Sequence, residues 1–289
     1  MLPPSNSPKL EQQISDGLCV ASVTKRFRRT LALDNLSIHI GRGEIVGLFG
    51  RDGAGKTVCF EAIMGFTGID SGHISLNGRE ITKLTVDRRG PLGLSYLAQL
   101  SSIFGGMTTA ENISAVLEIT EPNKATRALR LEQLLQTFKI DYVRDTPSPR
   151  LSGGERRRCE VARAMAASPS FMLLDEPFAG IDPLSVRSIK ETIRMLSASN
   201  VGILMSDQNL HETLELVDRA YVIDFGKVIF HGTPREMLSD TDVRRCYLGD
   251  DFVDLPPVQA VRPEACVPQP GRMPPGHPTE TLSATPALG

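Results

Sequence analysis

The chain has 289 residues, 40% hydrophobic and 23% charged, with 32 Lys and Arg against 34 Asp and Glu for a net charge of -2. That composition excludes a wholly disordered or collagen-like chain and gives no bulk electrostatic reason to expect nucleic acid as a partner. No apolar run approaches the ~18–20 residues of a membrane helix, and the opening MLPPSNSPKL holds no apolar signal region. The five cysteines (Cys19, Cys59, Cys159, Cys246, Cys266) form no CxxC or Cys/His pair at metal spacing, which suits reduced thiols in a cytosolic compartment.

Proline marks the expected boundaries. Of 20 prolines, three lie in residues 1–8 and nine in residues 255–289. Polar, Pro-rich stretches form neither ladders nor a core. The expectation is a disordered arm over 1–16, a folded body over 17–251 and a disordered tail over 252–289.

Within the body, short β-rich runs alternate with helical patterns. Residues 36–40 and 44–49 predict strands around a Gly41-Arg42-Gly43 turn, and 57–65 predicts a helix. Residues 73–76 predict a strand entering an Asn77-Gly78 hairpin turn. Residues 92–97 read as a short buried strand. From about 109 to 138 the chain is helical, with Leu129, Leu131, Leu134, Leu135 and Phe138 at helical spacing. A helix over 156–167, a strand over 171–174, a helix over 184–197, a strand over 202–205 and a helix over 210–216 follow. Residues 221–224 and 227–231 form a hairpin turning at Phe225-Gly226. Such alternation implies an α/β fold with a mostly parallel sheet covered on both faces. The helical stretch of about 100–155 interrupts it as an inserted subdomain.

Three motifs carry chemistry. Gly50-Arg51-Asp52-Gly53-Ala54-Gly55-Lys56-Thr57 fits the G-x-x-x-x-G-K-[ST] phosphate loop, and it follows an apolar strand and opens a helix. Its glycines let backbone N–H groups wrap a phosphate, Lys56 bridges the outer phosphates, and Thr57 ligates Mg²⁺. The strand Phe171-Met172-Leu173-Leu174 ends in Asp175 and Glu176, which places two acids where ligands bind parallel sheets. Asp175 suits a metal and Glu176 suits a general base toward an attacking water. Leu151-Ser152-Gly153-Gly154-Glu155 opens a helix with a capping box, a second N-terminus able to hold an anion.

Together the phosphate loop, LSGGE and LLDEP resemble an ATP-binding-cassette (ABC) ATPase domain, in that family's motif order over residues 17–251. The resemblance implies an ABC-type P-loop NTPase fold with a mostly parallel core, an antiparallel β part and the inserted helical subdomain. It assigns the nucleotide to residues 50 and 52–58 (Gly50, Asp52, Gly53, Ala54, Gly55, Lys56, Thr57, Val58), and to Phe27 stacking on adenine. It assigns Gln99, in Tyr96-Leu97-Ala98-Gln99, to Mg²⁺ and the attacking water, and Asp182 to the D-loop. It implies ATP and Mg²⁺ as ligands and a head-to-tail homodimer in which Ser152, Gly153, Gly154 and Glu155 of one copy close on the ATP of the other. It also implies integral-membrane permease subunits as partners, at the cytoplasmic face of the inner membrane. LSGGERRR, LLDEPFAGIDP, HGTP at 231–234 and YLGDDF at 247–252 most resemble the ATPases of lipopolysaccharide-export transporters, with branched-chain amino-acid importers as the alternative.

Two positions depart from the family pattern. Gln208, in Met205-Ser206-Asp207-Gln208-Asn209, stands where the family has a histidine against the γ-phosphate. Its amide can donate a hydrogen bond but carries no charge, so slow hydrolysis and a regulatory role are the further alternative. His211 lies one helical turn on. Val58 replaces a hydroxyl residue, while Thr57 is intact. Arg156, Arg157 and Arg158 are expected to face solvent or a partner domain.

Overall fold

The computed structural model describes residues 17–249. The expected arm at 1–16 and tail at 252–289, with Cys266, lie outside the described residues. Ten strands form two sheets. β1 (Gly17–Phe27), β2 (Thr30–Gly41), β4 (Ser71–Leu76) and β5 (Arg79–Glu80) make an antiparallel sheet in the order β2-β1-β4-β5. The Asn77-Gly78 turn joins the last two with both residues at positive φ (48° and 74°), the geometry a tight hairpin demands.

The second sheet has the order β10-β9-β3-β8-β7-β6, from β3 (Ile45–Phe49), β6 (Leu94–Leu97), β7 (Phe171–Asp175), β8 (Gly202–Ser206), β9 (Arg219–Asp224) and β10 (Lys227–Gly232). Its central pairings are all parallel and only the β9–β10 hairpin is antiparallel. All five residues of β3, β7 and β8 are buried, as strands covered on both faces must be. Alternate residues enter different cores. Phe171, Leu173 and Leu204 pack toward the antiparallel sheet with α1 (Lys56–Met64), through Phe60 and Ile63. Met172, Leu174, Ile203 and Met205 pack toward the other face, with α2 (Thr109–Thr120), α4 (Gly153–Met165) and α5 (Pro183–Ala198).

The expected helix over 109–138 is two helices, α2 and α3 (Lys124–Thr137), because Pro122 and the cap Asn123 break the run. α6 (Leu210–Leu214) and α7 (Pro234–Ser239) complete the α-helices longer than one turn among the described residues. Residues 17–35, which carry no clear strand pattern, form β1 and the first half of β2, whose pairing is broken by several register shifts. Among the described residues no helix is long and apolar enough to cross a membrane.

Candidate active site

The carboxyl ends of the parallel strands bring distant residues together. β3 runs into the phosphate loop, β6 into Gln99, β7 ends on Asp175, and β8 leads to Gln208. The loop's conformation depends on glycine. Gly50 has φ 149° and Gly55 φ 110°, and a Cβ would lie 2.3 Å from the Ile223 carbonyl oxygen or 2.5 Å from that of Ala32. Gly55 then caps α1. Lys56 Nζ donates to the carbonyls of Gly50 (2.7 Å) and Arg51 (3.0 Å), which sets the ammonium against the loop it serves. Asp52, Gly53 and Thr57 are exposed, Ala54 is buried, and Val58 packs partly buried against the core under the antiparallel sheet. A cleft of about 340 Å³ opens between this loop, Asp224 and Phe225 of the β9–β10 turn, and Arg245 and Cys246.

Asp175 is 3% exposed. Register with β8 sets it opposite Ser206, whose hydroxyl donates to Oδ1 at 2.6 Å. The Tyr96 hydroxyl donates to Oδ2 at 3.3 Å. Burial, with the Asp175 charge second, pushes the Tyr96 phenol well above its ordinary range. Glu176 sits at φ 47°, a rare conformation for a non-glycine residue, and its N–H donates to the Ser206 carbonyl at 2.8 Å. Each oxygen of its carboxylate takes an amide proton. Gln99 Nε2 reaches Oε2 at 2.6 Å and Gln208 Nε2 reaches Oε1 at 3.2 Å. Buried Asp207 ties the two loops by accepting the N–H groups of Phe178 (2.9 Å) and Asn209 (2.8 Å). Burial raises its carboxyl pKa.

Among the described residues, the other expected residues make no hydrogen bond to this cluster. Ser152 caps α4 in a capping box: its Oγ accepts from Glu155 N–H at 3.3 Å, and Glu155 Oε2 accepts from Ser152 N–H at 2.8 Å. The Tyr142 hydroxyl donates to Glu155 Oε1 at 2.8 Å. Gly154 is where α4 meets α5, since a Cβ there would lie 2.7 Å from Ser185 Cβ, while Gly153 is exposed. Asp182 caps α5 by accepting from Leu184 and Ser185 N–H, and the Ser185 hydrogen bonds hold its carboxyl below the usual range. Among the described residues no hydrogen bond joins residues 152–155 or Asp182 to the phosphate loop. Phe27 ends β1, 42% exposed, with Lys25 Nζ 5.0 Å from its ring centre.

One expectation is corrected. Arg157 is not a solvent-facing residue of an arginine run: it is 6% exposed. It donates to the Ala98 carbonyl (3.1 Å) and Glu160 (3.0 Å), and reaches the Asp175 carbonyl (3.5 Å). Helical periodicity turns it inward between two half-buried neighbours, and the i,i+3 partner Glu160 was the available signal. Tyr247 was also missed. Its half-buried ring packs against the core, and burial, the largest influence on it, pushes its phenol pKa up to about 12.

A phosphate loop, a strand-end acid pair and a separate LSGGE helix on this sheet define a nucleotide-binding ATPase cassette. The chain belongs to the ABC transporter family, whose model matches residues 33–179. A second model, for branched-chain amino acid ATP-binding cassette transporters, matches residues 227–253. An ABC transporter ATP-binding protein of Rhizobium meliloti is 48% identical, over 82% of this chain and 88% of that protein. The lipopolysaccharide export system ATP-binding protein LptB of Acidithiobacillus ferridurans is 46% identical, over 83% and 99%, and that of Escherichia coli K12 is 43% identical, over 81% and 98%. The crystal structure of an ABC-transporter cassette in its ADP conformation aligns with TM-score 0.72 at 25% identity, over 81% of this chain and 99% of that one.

Proposed function

We propose that this chain is the ATP-hydrolysing subunit of a lipopolysaccharide-export transporter. In this reading it works as a homodimer and docks, at the cytoplasmic face of the inner membrane, on integral-membrane permease subunits. The relatives named for lipopolysaccharide export support the substrate, because they match nearly their whole length. The observation that carries the chemistry is the Glu176 carboxylate held by two amides beside a phosphate loop.

Family resemblance and the geometry of the strand ends together support the following roles. Backbone N–H groups of residues 53–58 and the Lys56 ammonium hold the phosphates, and Phe27 stacks on the base. Thr57 Oγ1, Gln99 Oε1 and the Asp175 carboxylate are the hard oxygen donors that Mg²⁺ takes. Both Asp175 oxygens already accept a hydroxyl proton, which suits contact through water. Among the described residues no group of three or more His, Cys, Asp or Glu is placed to hold a metal. Mg²⁺ held by these oxygens would neutralise charge on the outer phosphates. Glu176 takes the proton of the attacking water, and Gln99 and Gln208 fix its two oxygens so that a free lone pair faces that water. Gln208 then donates its amide to the γ-phosphate oxygen, the contact a histidine makes elsewhere in the family.

The test is phosphate release by purified chain with Mg-ATP, and by chain reconstituted with permease subunits in lipopolysaccharide-containing vesicles. Glu176→Gln is expected to lower kcat by ~10²–10⁴ with ATP binding retained. Equal rates in the two proteins would overturn the role of Glu176. ATP-independent movement of lipopolysaccharide in the vesicles would overturn the transport reading.

A further inference from the structure

α6 has five residues, too few to hold a helix on their own in water. It starts two residues after Gln208, so whatever fixes α6 also fixes that amide. One tie is apolar, through buried Leu214 and Leu216. The other is a buried charge. Lys190, in the middle of α5, is 6% exposed, and its ammonium pairs with Glu215 (2.6 Å) and with Glu212. Both carboxylates are partly exposed, so the ammonium lies beneath α6 and the acids close over it. Arg194, one turn further along α5, reaches the Glu215 carbonyl at 3.5 Å.

We propose that Lys190 is a positioning residue for Glu176, acting through α6 and Gln208. The route is continuous. Lys190 holds Glu212 and Glu215, Glu212 N–H donates to the Asn209 side chain at 3.3 Å, and Asn209 N–H donates to Asp207 at 2.8 Å. Gln208, between those two anchored residues, reaches Glu176. A buried ammonium is costly unless matched, and matching it with two acids fixes both the position and the rotation of α6, which a greasy contact does not. α5 is the helix that Asp182 caps, so the same lysine links the D-loop helix to the loop carrying Gln208. This inference rests on Glu176 being the base of the proposed ATPase, and it makes a claim about α6 that is readable without hydrolysis.

The experiment uses the full chain with Lys190→Met, which keeps side-chain length while leaving the two glutamates to water. Hydrogen exchange over 207–216 is expected to speed up by roughly tenfold, with 50–58 unchanged as control. With Mg-ATP, kcat falls roughly tenfold and KM stays within about twofold. Lys190→Arg retains most of kcat. In a Gln208→Ala background Lys190→Met costs nothing further, because the pathway is already cut. Unchanged exchange over 207–216, or an undiminished kcat loss in the Gln208→Ala background, overturns the proposal. If the parent chain hydrolyses no ATP, the ATPase reading fails, while exchange still decides whether Lys190 holds α6. Should Lys190→Met not fold, the double variant Glu212→Gln with Glu215→Gln gives the same readout from partly exposed positions.

Discussion

The cluster at the strand ends and the start of α4 use their polar groups in opposite ways. At the strand ends, side chains from β6, β7, β8 and the loops that follow them satisfy one another: Ser206 and Tyr96 hold Asp175, and Gln99 and Gln208 hold Glu176. At α4, Ser152 and Glu155 spend their side chains on each other, and Asp182 spends its own on α5. The first region is assembled by this chain's own fold. The second is a self-capped helix start, and among the described residues no hydrogen bond joins it to the phosphate loop. Under the proposed function, a composite site between two copies gives it a ligand.

The largest expected effect tests that division. Glu176→Gln and Ser152→Asp each lose ~10² or more in turnover, the second because a carboxylate faces the partner's ATP. An equimolar mixture should recover about a quarter of wild-type turnover, since half the dimers are mixed and each of those holds one intact site. Phosphate release after subunit exchange checks this. A mixture no better than its components shows that both regions serve one site within a single chain.

Next is Gln208. Replacing it by alanine removes one of the two amides on Glu176 and should lower kcat by ~10²–10³, with ATP affinity little changed. Gln208→His sharpens the point. Histidine titrates near pH 6.5 and glutamine does not. The wild type should therefore lack any turnover step between about pH 6 and 7 that belongs to residue 208. The histidine variant should gain one, read from kcat against pH. A variant profile superimposable on wild type separates residue 208 from the reacting groups.

How legible each region was in the sequence follows the same contrast. The phosphate loop, the acid pair and the α4 start are contiguous, and residue type and spacing exposed all three. The short apolar runs at 171–174 and 202–205, in β7 and β8, were plain because both sheet faces are buried. The meeting of Gln99 with Glu176 spans 77 residues and that of Gln208 spans 32. It depends on strand order and register, so only family resemblance pointed to these glutamines. β1 was illegible because its register shifts and the positive φ of Ser22 break the two-residue alternation. Tyr247 packs half-buried against the core on the α2 and α4 face of the sheet, and no local pattern marks it.

The smallest effect separates two jobs of one residue. As a cap, Ser152 accepts the Glu155 N–H and fixes the box, so Ser152→Ala should cost ~1 kcal/mol, or about 2–4 °C in Tm for a body of this size. Ser152→Asp keeps a capping acceptor, so it should unfold within about 1 °C of wild type while losing turnover. Calorimetry beside the phosphate-release assay gives both numbers. The pH dependence has a fixed sign. The Ser152 hydrogen bonds hold the Glu155 carboxyl below the usual range. The box's stabilisation is therefore complete above about pH 4.3, the ordinary glutamate value, and fades as pH falls through the lowered one. The Tm difference between wild type and Ser152→Ala should narrow on acidification. A difference that stays constant down to pH 3 would assign the stability to the Ser152 Oγ cap on the Glu155 N–H, with no part for the Glu155 carboxylate.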